Sequence, residues 1–168
     1  MKNVALDTKK MVTLSALVSL AIILSYIEFL LPAFIPIPGV KMGLSNIATV
    51  FTLYTLGWPY AICVSVVRVF MSALIFGGFV SMVYSLFGAV LALVAMILLM
   101  KTDLFSPIGI SVAGGVFHNV GQVLAACLIM KNIGISLYVV PLVMSGTIAG
   151  ILIGIVAGIL VRKIEKYI

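Results

Sequence analysis

The stretch "FVSMVYSLFGAVLALVAMILLM", residues 79–100, runs for twenty-two positions without a charged side chain or a proline. As an α-helix it rises about 33 Å, enough to cross the roughly 30 Å hydrocarbon core of a bilayer. A barrel strand would alternate apolar and polar residues over a much shorter run, and this stretch does not alternate. The whole chain follows the same pattern. Of 168 residues, 64% are hydrophobic and 8% charged, and the mean hydropathy of +1.40 lies far outside the range of soluble globular domains. The expected fold class is therefore an all-α membrane protein. It is a single domain over 1–168, a compact bundle of six transmembrane helices at about 11–31, 41–56, 59–76, 79–100, 107–130 and 136–162.

The joints between these runs have local causes. In "LPAFIPIPG", residues 31–39, three prolines deny a helix its amide donors and set an extended loop. Gly57 followed by Pro59 ends one helix and starts the next, Gly77 and Gly78 permit a tight turn, and Ser106 with Pro107 reads as an N-cap and first helical residue. Short connections make consecutive helices antiparallel neighbours.

A net charge of +6 is compatible with nucleic-acid binding, but the basic residues sit at chain ends and loop edges. They read as topology signals instead, and no nucleic-acid partner is expected. With both termini cytoplasmic, Lys2, Lys9, Lys10, Lys101, Arg162, Lys163 and Lys166 fall inside, and only Lys41 and Lys131 outside. Met11 to Leu31 is too long for a signal-peptide core and lacks a small-residue cleavage site, so it is expected to be retained. Cys63 and Cys127 lie in separate apolar runs and read as packing residues, not a disulfide.

The last helix carries Gly146, Gly150, Gly154 and Gly158 at spacing four, a stripe without side chains along which another backbone can approach. That partner is either a helix of the same bundle or another subunit. Ser15 and Ser19 form a similar pair on the first helix, followed by Ala21 and Ser25; the fourth helix has Ser81, Ser85 and Ala89.

Against this background, the polar residues within the apolar runs stand out. His118, Asn119 and Gln122 fall within an arc of about 100° on the fifth helix, and unpaired amides cost several kcal/mol in hydrocarbon, so this face is expected to point into the bundle. Arg68, in the middle of the third helix with Ser65 and Ser72 on its side, needs a partner even more. Glu28 is the one carboxylate within an apolar run. Either it pairs with Arg68 structurally, or Arg68 meets the anion of a substrate. Ser45, Asn46 and Thr49 give the second helix a polar stripe with Lys41 at its rim, an interface anchor or a ligand contact, and Tyr84 is expected to bring its hydroxyl to the same layer. The candidate substrate-binding set is thus Glu28, Asn46, Arg68, Tyr84, His118, Asn119 and Gln122, in the outer half of the bundle. A polar pocket open outward and closed beneath is what a capture site for a solute requires.

Several chemistries lack their residues. No phosphate-binding loop, metal-ligand spacing or aspartate-rich diphosphate motif is present, so neither an enzyme nor a cofactor is expected. Half-length helices of the kind that build alternating-access carriers are not apparent either.

"KMGLSNIATVF" (41–51), "VVRVFMSALIFGG" (66–78), "SLFGAVLALVAM" (85–96) and "FSPIGISVAGGVFHNVGQ" (105–122) resemble the bacterial Gx transporter family, which carries the older label heptaprenyl diphosphate synthase component I. That family in turn is similar to the S-components of energy-coupling factor (ECF) transporters, six-helix proteins of the bacterial cytoplasmic membrane that capture micronutrients from outside. The resemblance implies a transmembrane coupling subunit and cytoplasmic ATPases as partners. It also gives Ser15 and Ser19 the place of a degenerate small-residue motif that would meet the coupling subunit, with the glycine stripe as a second interface. Two other readings stand beside it. One is a membrane subunit of a polyprenyl diphosphate synthase; the other is a structural subunit of a redox or secretion complex, in which the polar layer only holds the bundle together.

Overall fold

The computed structural model describes residues 8–31 and 43–165, and these are helical with no strand among them. Six α-helices follow in order: α1 (Thr8–Leu30), α2 (Asn46–Thr55), α3 (Trp58–Ser72), α4 (Gly78–Met100), α5 (Pro107–Met130) and α6 (Val139–Glu165). A π-helical turn, Ala73–Gly77, joins α3 to α4, and a 3-10 turn, Ile133–Tyr138, precedes α6. Four stretches are long and apolar enough to cross a membrane: Thr8–Leu30, Trp58–Met100, Pro107–Met130 and Ile133–Lys163. The Trp58–Met100 run is not one straight rod. Gly78 takes φ +74, open to glycine without strain, and Arg68 and Ser85 from either side of it line the same cavities, so the chain folds back there.

The expected joints form as their residues dictate. Gly57 at φ +94 starts α3 with Pro59 in its first turn, and the Ser106 side chain accepts from the Gly109 amide at 3.3 Å, capping α5 at Pro107. The proline-rich loop lies outside the described residues, as does Lys41.

The span expected at 41–56 is a shorter element. α2 has ten residues and rises about 15 Å, half of a hydrocarbon core. It is also the most enclosed helix, with every residue from Ala48 to Leu53 buried. So a half-length helix, which the apolar pattern concealed, does stand in the bundle. Its threonine hydroxyls do not compete with packing: Thr52 and Thr55 donate back to the carbonyls of Ala48 and Phe51, at 2.6 and 2.8 Å.

An apolar core is buried as in a soluble protein, but the outer surface is apolar too. Val90, Val94 and Leu98 on α4, and Met144, Ile148 and Leu152 on α6, recur at spacing four and are exposed. Ser25, Ser45, Thr49, Ser65, Ser111 and Asn119 are buried. Apolar rails outward and polar groups inward suit a lipid environment, where exposed leucine costs nothing and an exposed amide costs much. Cys63 is exposed on α3, and Cys63 and Cys127 are both free.

Glycines set the closest approaches. A methyl group on Gly146 would meet the Gly115 carbonyl oxygen at 2.7 Å; one on Gly150 would meet Val112 Cα at 2.6 Å, and one on Gly154 would meet Ile108 Cα at 2.6 Å. Partner numbers on α5 fall as those on α6 rise, so the two helices are antiparallel in backbone contact. The glycine stripe is therefore filled by α5. Only Gly158, with Pro107 Cβ at 3.8 Å, is loosely covered. On the other side of α5, a methyl on Gly121 would meet the Phe87 carbonyl oxygen and Gly88 Cα of α4 at 2.7 and 2.8 Å. α5 is thus clamped between α4 and α6, and this places its polar face.

Candidate functional site

The end of α1, the start of α2, the end of α3, the start of α4 and the middle of α5 meet at one end of the bundle. There Glu28, Asn46, Arg68, His118, Asn119 and Gln122, six of the seven expected side chains, line one cavity of about 60 Å³ together with Ser45 and Ser85. Tyr84 does not join them. It is half-buried and lines none of the three cavities described here, because it lies about 100° round α4 from Ser85, which does.

Arg68 lies at the centre. Its Nη1 donates to Ser45 Oγ at 2.8 Å, while its Nε is buried with no hydrogen-bond partner among the described residues. Glu28 is within electrostatic reach of the guanidinium, and its carboxylate also accepts the backbone N–H of Gly43. Gly43 reaches that contact at φ +70, a conformation that side chains disfavour. Both acid and base line the 60 Å³ cavity and a larger one, so the pair stands in a wall between two spaces.

The larger cavity, about 300 Å³, lies between α1, α3, the π turn and α4. Ser25, Ser72, Ser81 and Ser85 give it a hydroxyl-rich side. Phe29 and Phe76 give it an aromatic one, their ring centroids 4.9 Å apart at 31°, with Tyr26 5.9 Å from Phe76. Phe76 sits on the π turn, a helical irregularity that often marks functional sites. The hydroxyls of Ser25 and Ser72 are buried without hydrogen-bond partners among the described residues, like Arg68 Nε. A third, small cavity of about 20 Å³ lies against Thr49, Ser65 and His118.

The comparison with known families bears on this geometry. The family model of heptaprenyl diphosphate synthase component I matches residues 17–160, a span that takes in every residue lining the three cavities. The chain belongs to that family. No curated protein and no solved structure matches it.

In this chain the three polar residues of α5 divide between two neighbours. Asn119 Nδ2 donates to the Leu142 carbonyl of α6 at 2.5 Å, and Gly146 leaves room for it, since a methyl there would lie 2.7 Å from that nitrogen. His118 packs toward α4 over Gly88, where a methyl would lie 3.1 Å from its Cε1, and Gln122 Cγ lies against the same glycine. The stretch 114–122 is polar because two glycine-faced helices make space for its side chains. Composition alone does not reveal the larger cavity. Its serines read as small packing residues by spacing, and the signal for a site was their recurrence beside Arg68 and Glu28 on α1, α3 and α4.

Ser15 and Ser19 lie on the exposed side of α1, the least enclosed of the long helical stretches, and Ser19 Oγ donates to the Ser15 carbonyl at 2.9 Å. The Ser19 hydroxyl is thus satisfied within α1.

Proposed function

We propose that this protein is an S-component-like membrane receptor that captures a small organic micronutrient or precursor from outside for ATP-driven uptake. The observation that carries this reading is the convergence of six polar side chains from four helices on adjoining cavities, among them a buried arginine whose Nε–H has no partner among the described residues. Leaving such groups unpaired costs about 1–3 kcal/mol each, and a bound solute would remove that cost. The chain has no nucleotide-binding loop, so energy comes from partners: an ECF coupling subunit and cytoplasmic ATPases. α1, with Ser15 and Ser19 outward, is the face offered to the coupling subunit; of the glycine stripe only Gly158 is left loosely covered.

In this reading the helices make six passes in the bacterial cytoplasmic membrane with both termini inside. Leu17 of α1 and Val161 of α6 share one core cluster, and Lys9, Lys10, Lys101, Arg162 and Lys163 all fall at the helix ends opposite the cavities, as the positive-inside rule asks. The family description favours a second reading, a non-catalytic subunit associated with polyprenyl diphosphate synthesis.

Native mass spectrometry of gently extracted protein separates the two. A small acid or other micronutrient released on denaturation supports capture. An isoprenoid diphosphate, or co-purification with a prenyl synthase and no small molecule, refutes it.

A further inference from the structure

The roughly 300 Å³ cavity is bordered by a set of groups that find no hydrogen-bond partner among the described residues. Arg68 Nε, Ser25 Oγ and Ser72 Oγ are all buried and all without hydrogen-bond partners among the described residues, and the three residues that carry them all line this one space. Ser72 stands one helical turn beyond Arg68 on α3, and Ser25 faces them from α1, one turn before Glu28. Three convergent donors, one of them a cation, form a seat for an oxyanion.

Charge and shape narrow the class. Glu28 shares the cavity wall, so the site offers one positive and one negative charge, and a dianion would be repelled by the carboxylate as it met the guanidinium. One helical turn beyond Ser25 and Ser72, Phe29 and Phe76 present ring surface to the same cavity. At about 30 Å³ per water, the volume admits about ten non-hydrogen atoms. We propose that this chamber seats the captured solute, and that the solute is a small monocarboxylate with an aromatic or apolar body. The carboxylate accepts from Arg68, Ser25 and Ser72, and the body lies against Phe29 and Phe76. This rests on the capture reading and deepens it.

The test is calorimetric titration of the purified full chain in nanodiscs with three probes: phenylacetate, phenylacetamide and phenylphosphate. Phenylacetate is expected to bind at least tenfold more tightly than either of the others. Arg68→Gln abolishes that preference. Ser25→Ala and Ser72→Ala each weaken phenylacetate about tenfold and leave thermal unfolding unchanged, since these hydroxyls have no hydrogen-bond partner among the described residues; they carry the test should Arg68→Gln fail to fold. Equal affinity for the amide, tighter binding of the phosphate, or indifference to both serine variants overturns the inference. A neutral compound, or a polyanionic solute other than an isoprenoid diphosphate, found by native mass spectrometry overturns it too while leaving capture intact. If no probe binds and no small molecule is retained, both readings fall.

Discussion

The α5–α6 seam predicts opposite outcomes for one substitution made at two places on the same stripe. In Gly150→Ala the new methyl would lie 2.6 Å from Val112 Cα and 2.9 Å from the Ser111 carbonyl oxygen, both backbone atoms, which no rotamer can move. Reaching ordinary contact near 3.4 Å forces the helices apart by roughly 0.8 Å, at an overpacking cost of about 1–3 kcal/mol. Alanine returns about 1 kcal/mol of helix propensity, so the net loss is about 0–2 kcal/mol. In Gly158→Ala the nearest atom is Pro107 Cβ at 3.8 Å, an ordinary contact, and the propensity gain of about 1 kcal/mol stands alone. The two variants should thus differ by about 1–3 kcal/mol, and at roughly 2–4 °C per kcal/mol for a chain of this size their unfolding midpoints separate by several degrees. Thermal unfolding in mild detergent, followed by the loss of monodisperse protein, reads this directly. If Gly150→Ala unfolds at or above the midpoint of Gly158→Ala, α5 does not fill the stripe, and its glycines are again available to a partner subunit.

Asn119→Ala should lower stability by about 1–3 kcal/mol, because it removes the bond to the Leu142 carbonyl from a buried position; an unchanged midpoint would contradict the assigned hydrogen bond. Ser106→Ala, which removes the cap on α5, should cost about 1 kcal/mol in the same assay, whereas Ser106→Asp should restore it. For topology, single cysteines at Lys101→Cys and Lys131→Cys, in a background without Cys63 and Cys127, should react with a membrane-impermeant maleimide from opposite sides; labelling of both in intact cells would refute the proposed orientation.

The local sequence made the helix ends legible where a single residue type decides them. Ser106 and Pro107 start α5, Gly57 starts α3, and Gly78 carries the positive φ that turns α3 into α4. It misled where length was inferred from hydropathy. Residues 41–56 read as a full span, but the helix described there is the ten-residue α2, because an enclosed short helix is as apolar as a lipid-facing one. Tyr84 illustrates a second limit: depth follows from position in the chain, but a rotation of about 100° decides whether a side chain reaches a cavity.

The amino-acid sequence by itself determined the class of environment and the list of expensive residues. An apolar chain of this composition demands lipid, and Arg68, Glu28, His118, Asn119 and Gln122 must then find company. The sequence could not say which polar groups are satisfied and which are left over. Asn119 and Ser25 are alike on paper, as buried hydrogen-bonding residues. In the bundle Asn119 meets a carbonyl of α6 across a glycine, whereas the Ser25 hydroxyl, on a residue that lines a cavity, finds no partner among the described residues. That difference arises from backbones brought together at sub-side-chain distances by glycines far apart in the chain, and packing of that kind exists only once the helices have assembled.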